Sequence, residues 1–146
     1  MTEEQYWKQF IGKHPEYKDK SYTAWQFGAD PDVLAELVIS GKKTLTCSSL
    51  KEYELENESL PEAGEVSIVL GRDHTPKCII ECMKVYTIVF KEADEELAYK
   101  EGEGDRSLSY WRQAHLDFFG WLYPEMGLEF NEDEKIVVEE FKCLYV

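Results

Sequence analysis

The sequence predicts an α+β domain in which helices flank a small curved or closed β-sheet. Three observations support this fold class. Four segments have the period of two or the β-branched composition of strands, at residues 43–49, 66–70, 77–90 and 134–146. Helical spacing of apolar residues occurs near the start of the chain, between Asp30 and Gly41, and after Ser107. A short turn, residues 71–76, joins two of the strands.

The first helix is expected over residues 2–13, behind Thr2 as its N-cap, with Tyr6 and Phe10 on its apolar side. Residues 14–29 are rich in turn-forming and aromatic residues and are expected to form a loop. The pattern therefore predicts a short helix at the start of the chain that packs on the body of the domain.

The second helix has clear boundaries. Asp30 is its expected N-cap, Pro31 lies in its first turn, and Gly41 ends it. Its apolar stripe consists of Val33, Leu34, Leu37 and Val38.

Two further segments complete the prediction. Residues 51–65 carry six Glu and one Lys and are expected to form a solvated loop. The insertion before the last strand is expected to contain a helix capped by Ser107. The side chains expected to face inward on it are Leu108, Trp111, His115, Phe118, Phe119 and Leu122.

Composition limits the class of protein. A length of 146 residues fits one domain, and 43% hydrophobic residues with 14% aromatics exclude extensive disorder. No apolar run approaches the roughly 18 residues of a membrane span, and the acidic start does not resemble a signal peptide. We therefore expect a cytoplasmic protein with no membrane partner.

The charge balance limits the partners. The chain has 16 Lys and Arg against 30 Asp and Glu, a formal net charge of −14. This charge opposes non-specific binding to nucleic acid, which depends on neutralised phosphates. No DNA partner is expected, whereas a small neutral ligand is not opposed.

The four cysteines do not have the spacing of a zinc site or of a CxxC pair. They are Cys47, Cys78, Cys82 and Cys143. We expect reduced thiols, and no metal or cofactor.

The first candidate for chemistry is the GKKTLT corner between the second helix and the next strand. Gly41 allows a sharp turn and places Lys43 and Thr46 just inside the strand. A lysine whose pKa is lowered by burial can act as a base, and a threonine hydroxyl can then attack a carbonyl group. The structural alternative is a glycine helix stop followed by an exposed pair of lysines.

Glu81 is the second candidate, because it shares a largely apolar face of the strand over residues 77–90. An acid in that position lies either at a solvent rim or against a buried partner such as lysine.

The third candidate is the segment EGEGDRS, residues 101–107, whose glycines predict a flexible acidic loop that can approach a ligand. The alternative is a solvated helix start capped by Asp105 or Ser107. On the helix that follows, His115 is expected to be a core histidine. Trp111 either belongs to the core or lines a base-sized pocket.

In this order, the motifs resemble the ASCH domain family. The resemblance rests on the GxKxxT string that begins at Gly41, on a strand bearing Glu81, and on the closing EFKCL. The WQFG stretch from Trp25 and the segment EGEGDRSLSYWRQAH resemble, more narrowly, a subgroup of stand-alone bacterial members. The resemblance covers residues 21–146 and leaves residues 1–20 as an N-terminal helical extension.

This resemblance implies a PUA-like β-barrel with helices covering its ends and a cleft beside the GxKxxT corner. The family is proposed to bind RNA or nucleotides. Some small bacterial members are amidohydrolases that remove the acetyl group from N4-acetylcytidine, and ribonuclease activity has been attributed to another member. In the amidohydrolases, the lysine and threonine of the motif act with a glutamate from the helical insertion.

Carried over by residue, the resemblance implies Lys43, Thr46 and Glu103 as catalytic residues, with Glu101 as the alternative acid. The substrate-binding residues that it implies are Gly41, Trp25, Phe27, Glu81, Glu101 and Trp111. This chain departs from the amidohydrolases directly after the threonine, where the sequence Cys-Ser-Ser replaces a basic residue.

Two functions follow. The first is a metal-independent amidohydrolase acting on a small N-acylated nucleoside or base. Thr46 would attack the acyl carbon, Lys43 would take its proton, and Glu103 would orient the amine or protonate the leaving nitrogen. On this hypothesis Lys43→Ala abolishes turnover with little loss of stability.

The second function is a non-catalytic module that binds RNA or a nucleotide through the same cleft. It requires lysines of the N-terminal third to converge, namely Lys8, Lys13, Lys18, Lys20, Lys42 and Lys43. A third class, a pure protein-interaction domain, has no residue pattern in its favour.

Overall fold

One five-stranded sheet and five α-helices make up the fold in the computed structural model, which describes residues 1–146. The strands are β1 (Thr23–Gln26), β2 (Leu45–Ser49), β3 (Val66–Leu70), β4 (Pro76–Val89) and β5 (Lys135–Tyr145). The helices are α1 (Glu3–Lys13), α2 (Pro31–Ile39), α3 (Leu50–Leu55), α4 (Glu95–Glu101) and α5 (Leu108–Glu125). Two 3₁₀ helices, Pro15–Tyr17 and Phe90–Glu92, lie between them. None of the helices combines the length and apolar character needed to cross a membrane.

The sheet has the strand order β1-β3-β4-β5-β2 and is curled into a half-barrel. β1 pairs with β3 in parallel, and all other neighbours are antiparallel. The β4–β5 register shifts between Cys82 and Lys84, and a bulge of this kind increases strand bending and twist. The predicted α+β class with flanking helices is therefore confirmed, with β1 and β2 as the two edges of a sheet that stays open.

The two faces of the sheet have different partners. We call the inner face the one that bears Val69, Ile80 and Phe141, and α2 packs on it through Ala35 and Val38. Residues of both edge strands, β1 and β2, line one cavity of the domain. α2 therefore fills one end of the half-barrel and leaves the space between the edges to the site described below.

α1 covers the outer face near β3 and β4. Phe10 is fully buried there among Ile68 and Ile79, as the spacing of its apolar residues predicts. Thr2 and Gln5 form a reciprocal capping box at its start.

α4 and α5 cover the outer face at the β5 and β2 end. Their core is strongly aromatic and includes Trp111, Phe119 and Tyr123, packed against Ile136 and Val138. Ser107 caps α5 as predicted, because its hydroxyl accepts from the Tyr110 backbone N–H at 3.1 Å. The four cysteines are unpaired, in agreement with the expected reduced thiols.

Local structure differs from the prediction in three places. β1 lies within the segment 14–29 that was expected to be a loop, because its four residues pair with buried β3 rather than showing a long alternating pattern. α3 begins the acidic segment 51–65, where Ser49 accepts from the Glu52 backbone N–H and starts the helix. The third difference is α4 (Glu95–Glu101), a separate helix that the sequence analysis does not predict.

Two side chains expected to face inward are exposed. Val33 on α2 is 53% exposed and Phe118 on α5 is 44% exposed. Ala35 on α2 and Tyr123 on α5 are buried in addition to the predicted Val38, Trp111 and Phe119.

Candidate functional site

The corner between α2 and β2 is both a glycine helix stop and the place where a lysine of the GKKTLT motif enters the interior. Gly41 has φ +83° and ends α2, with the Lys42 and Gly41 backbone N–H groups donating to Leu37 and Val38 carbonyls. This is a Schellman stop. The predicted exposed pair of lysines is not found, since Lys42 is exposed whereas Lys43 is only 1% exposed. The stop therefore turns the chain so that Lys43 enters the interior.

Lys43 is held by two carboxylates. Its Nζ lies 2.7 Å from Glu101 Oε2 and 2.9 Å from Glu103 Oε2. The third donor points to the Glu101 main-chain carbonyl at 3.3 Å. Glu101 is itself almost fully buried, whereas the Glu103 side chain is 28% exposed. The two acids that the sequence offered as alternatives therefore bind the same ammonium group, one from inside and one near solvent.

The backbone after α4 fits tightly over the corner. Gly102 has φ +77°, and a Cβ there would overlap the Lys42 carbonyl group and lie 3.0 Å from Lys43 Cα. Only glycine accommodates both the left-handed backbone and this close approach. Gly102 therefore lets the chain place Glu101 and Glu103 on either side of Lys43.

Arg106 holds residues 101–107 against the motif corner from the solvent side. Its guanidinium group donates to the Lys42 carbonyl at 3.2 Å and to the Tyr99 carbonyl at 3.1 Å. It also stacks 3.5 Å from the Tyr99 ring centroid. Residues 101–107, predicted to be a flexible loop, are thus tied to the motif corner.

The far side of Glu101 contacts α5. Trp111 Nε1 donates to Glu101 Oε1 at 3.0 Å, and His115 Nε2 lies 3.4 Å from the same oxygen. The other His115 nitrogen, Nδ1, contacts the Trp111 carbonyl at 2.8 Å. His115 is mostly buried, with 13% of its side chain exposed, and it belongs to a polar network rather than to an apolar core.

The electrostatics of this cluster favour charged groups. Burial opposes charge on the Glu101 carboxyl, but Lys43 and the His115 hydrogen bond outweigh it and hold the Glu101 pKa well below its usual range. Burial also disfavours the Lys43 ammonium, yet the two carboxylates raise its pKa. For His115, burial is outweighed by Glu101, and its pKa is raised. The cluster is therefore an ammonium held by carboxylates, and Lys43 is not a free base.

A cavity of about 440 Å³ lies between the two edges of the sheet. Trp25 and Phe27 line it from the β1 side, and Thr46 and Ser48 line it from β2. Phe27 connects the cavity to the charged cluster, because its ring centroid is also 5.3 Å from Lys43 Nζ. Three of the residues predicted for the site, one catalytic and two substrate-binding, thus share this cavity.

The rest of the lining includes four carboxylates and two further aromatic rings beside neutral polar and small side chains. Its carboxylates are Glu52, Glu58, Glu65 and Glu139, and its further rings are Tyr53 and Phe118. No Lys or Arg side chain lines it. Of the six lysines proposed for RNA binding, Lys43 is buried and Lys20 lies in the neighbouring groove with its Nζ on the Gly64 carbonyl. These lysines do not converge on the cavity.

The other predicted site residues lie elsewhere. Glu81, on β4, accepts a hydrogen bond from the Tyr17 hydroxyl at 2.8 Å and so anchors the 3₁₀ helix Pro15–Tyr17. Trp111 is 2% exposed and supports Glu101 from behind. Gly41 shapes the corner through its backbone. None of these three lines the cavity.

A second, smaller cleft of about 270 Å³ lies beside α4, lined by Lys84, Lys100 and Glu140 among others. Lys100 is engaged there in salt bridges to Glu96 and Glu140. It contains none of the motif residues except the buried Leu45 that adjoins them.

Four residues of the site were not identified from sequence, namely Gly102, Arg106, His115 as a network member and Glu139. The EGEG repeat was a signal for Gly102, since closely spaced glycines often mark a close backbone approach. Glu139 carried no local signal, because its position depends on the pairing of distant strands.

The comparisons with known proteins agree with this architecture. The model of the ASCH domain family matches residues 23–145. The crystal structure of an ASCH domain from Lactobacillus crispatus matches with a TM-score of 0.92 at 34% identity, over 98% of this chain and 94% of that chain. Protein EF3133 from Enterococcus faecalis matches with a TM-score of 0.87 at 34% identity, over 97% and 87% of the two chains.

A variant of ZmASCH from Zymomonas mobilis is a more distant match, with a TM-score of 0.52 at 11% identity, over 86% of this chain and 71% of that chain. At this identity the likeness concerns the fold alone. A search of curated proteins finds no match.

Proposed function

We propose that this chain, which belongs to the ASCH domain family, is an amidohydrolase acting on a small N-acylated nucleoside or base of the N4-acetylcytidine type. The observation that carries the proposal is the buried cluster of Lys43, Glu101 and Glu103 beside a cavity lined by Thr46. Lys43 of the motif contacts the insertion acids directly, and Phe27, which lies 5.3 Å from its Nζ, connects this cluster to the cavity that Thr46 lines.

A contribution to stability does not by itself explain why these charged groups are buried. Burying an ammonium and a carboxylate removes both from water, and the attraction between them often does no more than offset that penalty. Strongly perturbed ionisable groups next to a cavity are typical of functional sites. The arrangement therefore favours a chemical role for Lys43 over a purely structural one.

The cavity suits a nucleoside-like ligand. Its volume of about 440 Å³ is within the usual range of small-molecule sites, roughly 300–1,000 Å³. Trp25, Phe27 and Tyr53 offer aromatic faces for a base, and the carboxylates accept hydrogen bonds from amino and hydroxyl groups. The same carboxylates repel phosphate, so a neutral nucleoside fits better than a nucleotide.

The proposed reaction proceeds in two halves. The Thr46 hydroxyl oxygen attacks the acyl carbon, its proton is taken by a carboxylate, and the C–N bond breaks as the leaving amine receives a proton. Water then attacks the resulting ester, which releases the carboxylic acid and returns the proton to Thr46. Covalent catalysis of this kind divides one difficult step into two easier ones.

The structure changes the role assigned to Lys43. Because its three donors already serve carboxylate and carbonyl oxygens, it acts in this proposal as a fixed positive charge. Glu103 is the more exposed partner, so a substrate carbonyl can replace it and accept from Lys43 as negative charge develops. Glu103 is then available to orient the amine, the role that the family resemblance implies for it.

RNA binding through the same cleft is less well supported, because the lining has four carboxylates and no basic side chain. Binding of RNA that weakens steeply with added salt would favour this alternative over hydrolysis.

The experiment is chromatographic. Wild-type protein is incubated with N4-acetylcytidine, and release of cytidine is measured beside Thr46→Val and Thr44→Val. Thr44 is exposed and outside the cavity, so its variant controls for loss of a threonine hydroxyl. We expect release by the wild type and Thr44→Val and a loss of at least about 100-fold in Thr46→Val. Equal rates for the two variants would contradict the role of Thr46.

A further inference from the structure

We propose that Glu139 is the carboxylate that accepts the proton of the Thr46 hydroxyl, which makes it a further catalytic residue of the cavity. This inference rests on the proposed hydrolysis and deepens it. Neither the sequence motif nor the family resemblance identified Glu139.

Strand pairing places the two residues together. In the antiparallel ladder of β2 and β5, Thr46 and Glu139 are direct cross-strand partners. Direct partners project from the same face of a sheet, with Cβ atoms about 4.5–5.5 Å apart. Both residues line the 440 Å³ cavity. A carboxylate on a neighbouring strand is therefore positioned to reach the hydroxyl of the candidate nucleophile.

The other acids near the motif serve a different purpose. Glu101 and Glu103 both bind Lys43 within 2.9 Å, and Glu101 is also occupied by Trp111 and His115. Lys43 itself is an ammonium and cannot accept a proton. Glu139 forms no salt bridge with any Lys or Arg side chain, unlike its neighbour Glu140, so its charge is not committed to a cation.

The surroundings of Glu139 favour proton uptake. Burial raises its pKa, the Cys82 thiol on β4 opposes that shift, and the nearby Glu65 on β3 raises it further. The other charged groups that line the cavity are Glu52 on α3 and Glu58, and the Tyr53 phenol lies near Glu139 and both of them. A carboxylate with a raised pKa is a stronger base once it is ionised, and it is better matched to neutral pH.

The proton balance is complete with groups on this chain. Glu139 takes the hydroxyl proton as the Thr46 oxygen bonds to the acyl carbon, and it gives that proton to the nitrogen that leaves. In the second half it takes a proton from the attacking water and returns it to the Thr46 oxygen as the ester bond breaks.

The test uses p-nitrophenyl acetate as a generic acyl donor, so that it does not depend on the natural substrate. Acylation of Thr46 is followed by mass spectrometry in the wild type, Glu139→Gln and Glu140→Gln. Glu140 is adjacent on β5 but faces the other side of the sheet and bridges Lys100. Circular dichroism confirms that each variant is folded.

We expect Glu139→Gln to slow Thr46 acylation by about 100-fold or more, whereas Glu140→Gln acylates at the wild-type rate. The acidic limb of the wild-type pH profile should also disappear in Glu139→Gln. Thr46 acylated equally fast in Glu139→Gln would overturn this inference alone. Thr46 left unmodified in the wild type would overturn the proposed nucleophile and this inference together.

Discussion

Lys43 and Glu101 form an ion pair of 2.7 Å in which both side chains are at least 98% buried. The pair joins two distant parts of the chain, the helix stop at Gly41 and the end of α4. Removing one member leaves the other charge buried without its partner, which is among the more destabilising single changes in proteins.

Substitution of Lys43 is therefore expected to affect stability as well as turnover, in contrast to the expectation from sequence. Lys43→Met should lower the free energy of unfolding by about 3–5 kcal/mol. Lys42→Met, at the exposed neighbouring lysine, should change it by less than about 0.5 kcal/mol. Denaturant unfolding measures both, and equal values would show that Lys43 is not held as described.

The two carboxylates should differ in their effects. Glu101→Gln removes the charge that faces Lys43, Trp111 and His115 in the interior and should cost about 3 kcal/mol. Glu103→Gln alters a partly exposed partner and should cost less than about 1 kcal/mol, while still impairing turnover of N4-acetylcytidine. A Glu103→Gln protein with full activity would remove Glu103 from the mechanism.

Gly102 should not tolerate a side chain. Gly102→Ala adds a Cβ that overlaps the Lys42 carbonyl in a left-handed backbone, and should destabilise by about 1–3 kcal/mol. The control is Gly120→Ala at an exposed position of α5, where a Cβ meets nothing within 4 Å. Helix propensity predicts that this control is stabilised by roughly 1 kcal/mol, and thermal unfolding compares the two.

His115 should make stability depend on pH. Its pKa is raised in the folded state, so the native protein binds more protons than the unfolded chain above the ordinary value of 6.5. The stabilisation is complete below that value and is lost as the pH rises through the folded pKa. His115→Asn should flatten this decline in the free energy of unfolding, whereas His74→Asn, on an exposed turn, should not. A decline of unchanged slope in His115→Asn would assign it to another group.

The acidic lining should discriminate between ligands by charge. Cytidine is expected to inhibit or bind at least about tenfold more tightly than cytidine 5′-monophosphate, because like charges brought together in an interface are penalised. Calorimetric titration of both compounds tests this. Tighter binding of the monophosphate would favour the nucleotide-binding alternative.

Local sequence signals accounted for much of the fold. Caps and stops are short-range features, which is why Thr2, Asp30 and Ser107 were assigned to the helix starts that they occupy. β1 was missed because a four-residue strand is stabilised by its parallel pairing with β3, and that partner lies more than 40 residues away.

The residues of the site also differ in whether a local sequence signal identifies them. Lys43 and Thr46 could be predicted because they lie three positions apart in one motif. Glu139 was not found, because its relation to Thr46 depends on the β2–β5 register. The interior position of Lys43 also depends on a distant residue, Gly102, whose lack of a side chain lets the acids reach it.

A crystal structure of Thr46→Val with N4-acetylcytidine bound would show directly whether the cavity holds this substrate beside the motif. We expect the base against Trp25 between the two sheet edges, with the amide carbon next to residue 46 and its carbonyl oxygen turned toward Lys43. Ligand bound only in the cleft beside α4, or no ligand at saturating concentration, would contradict this expectation.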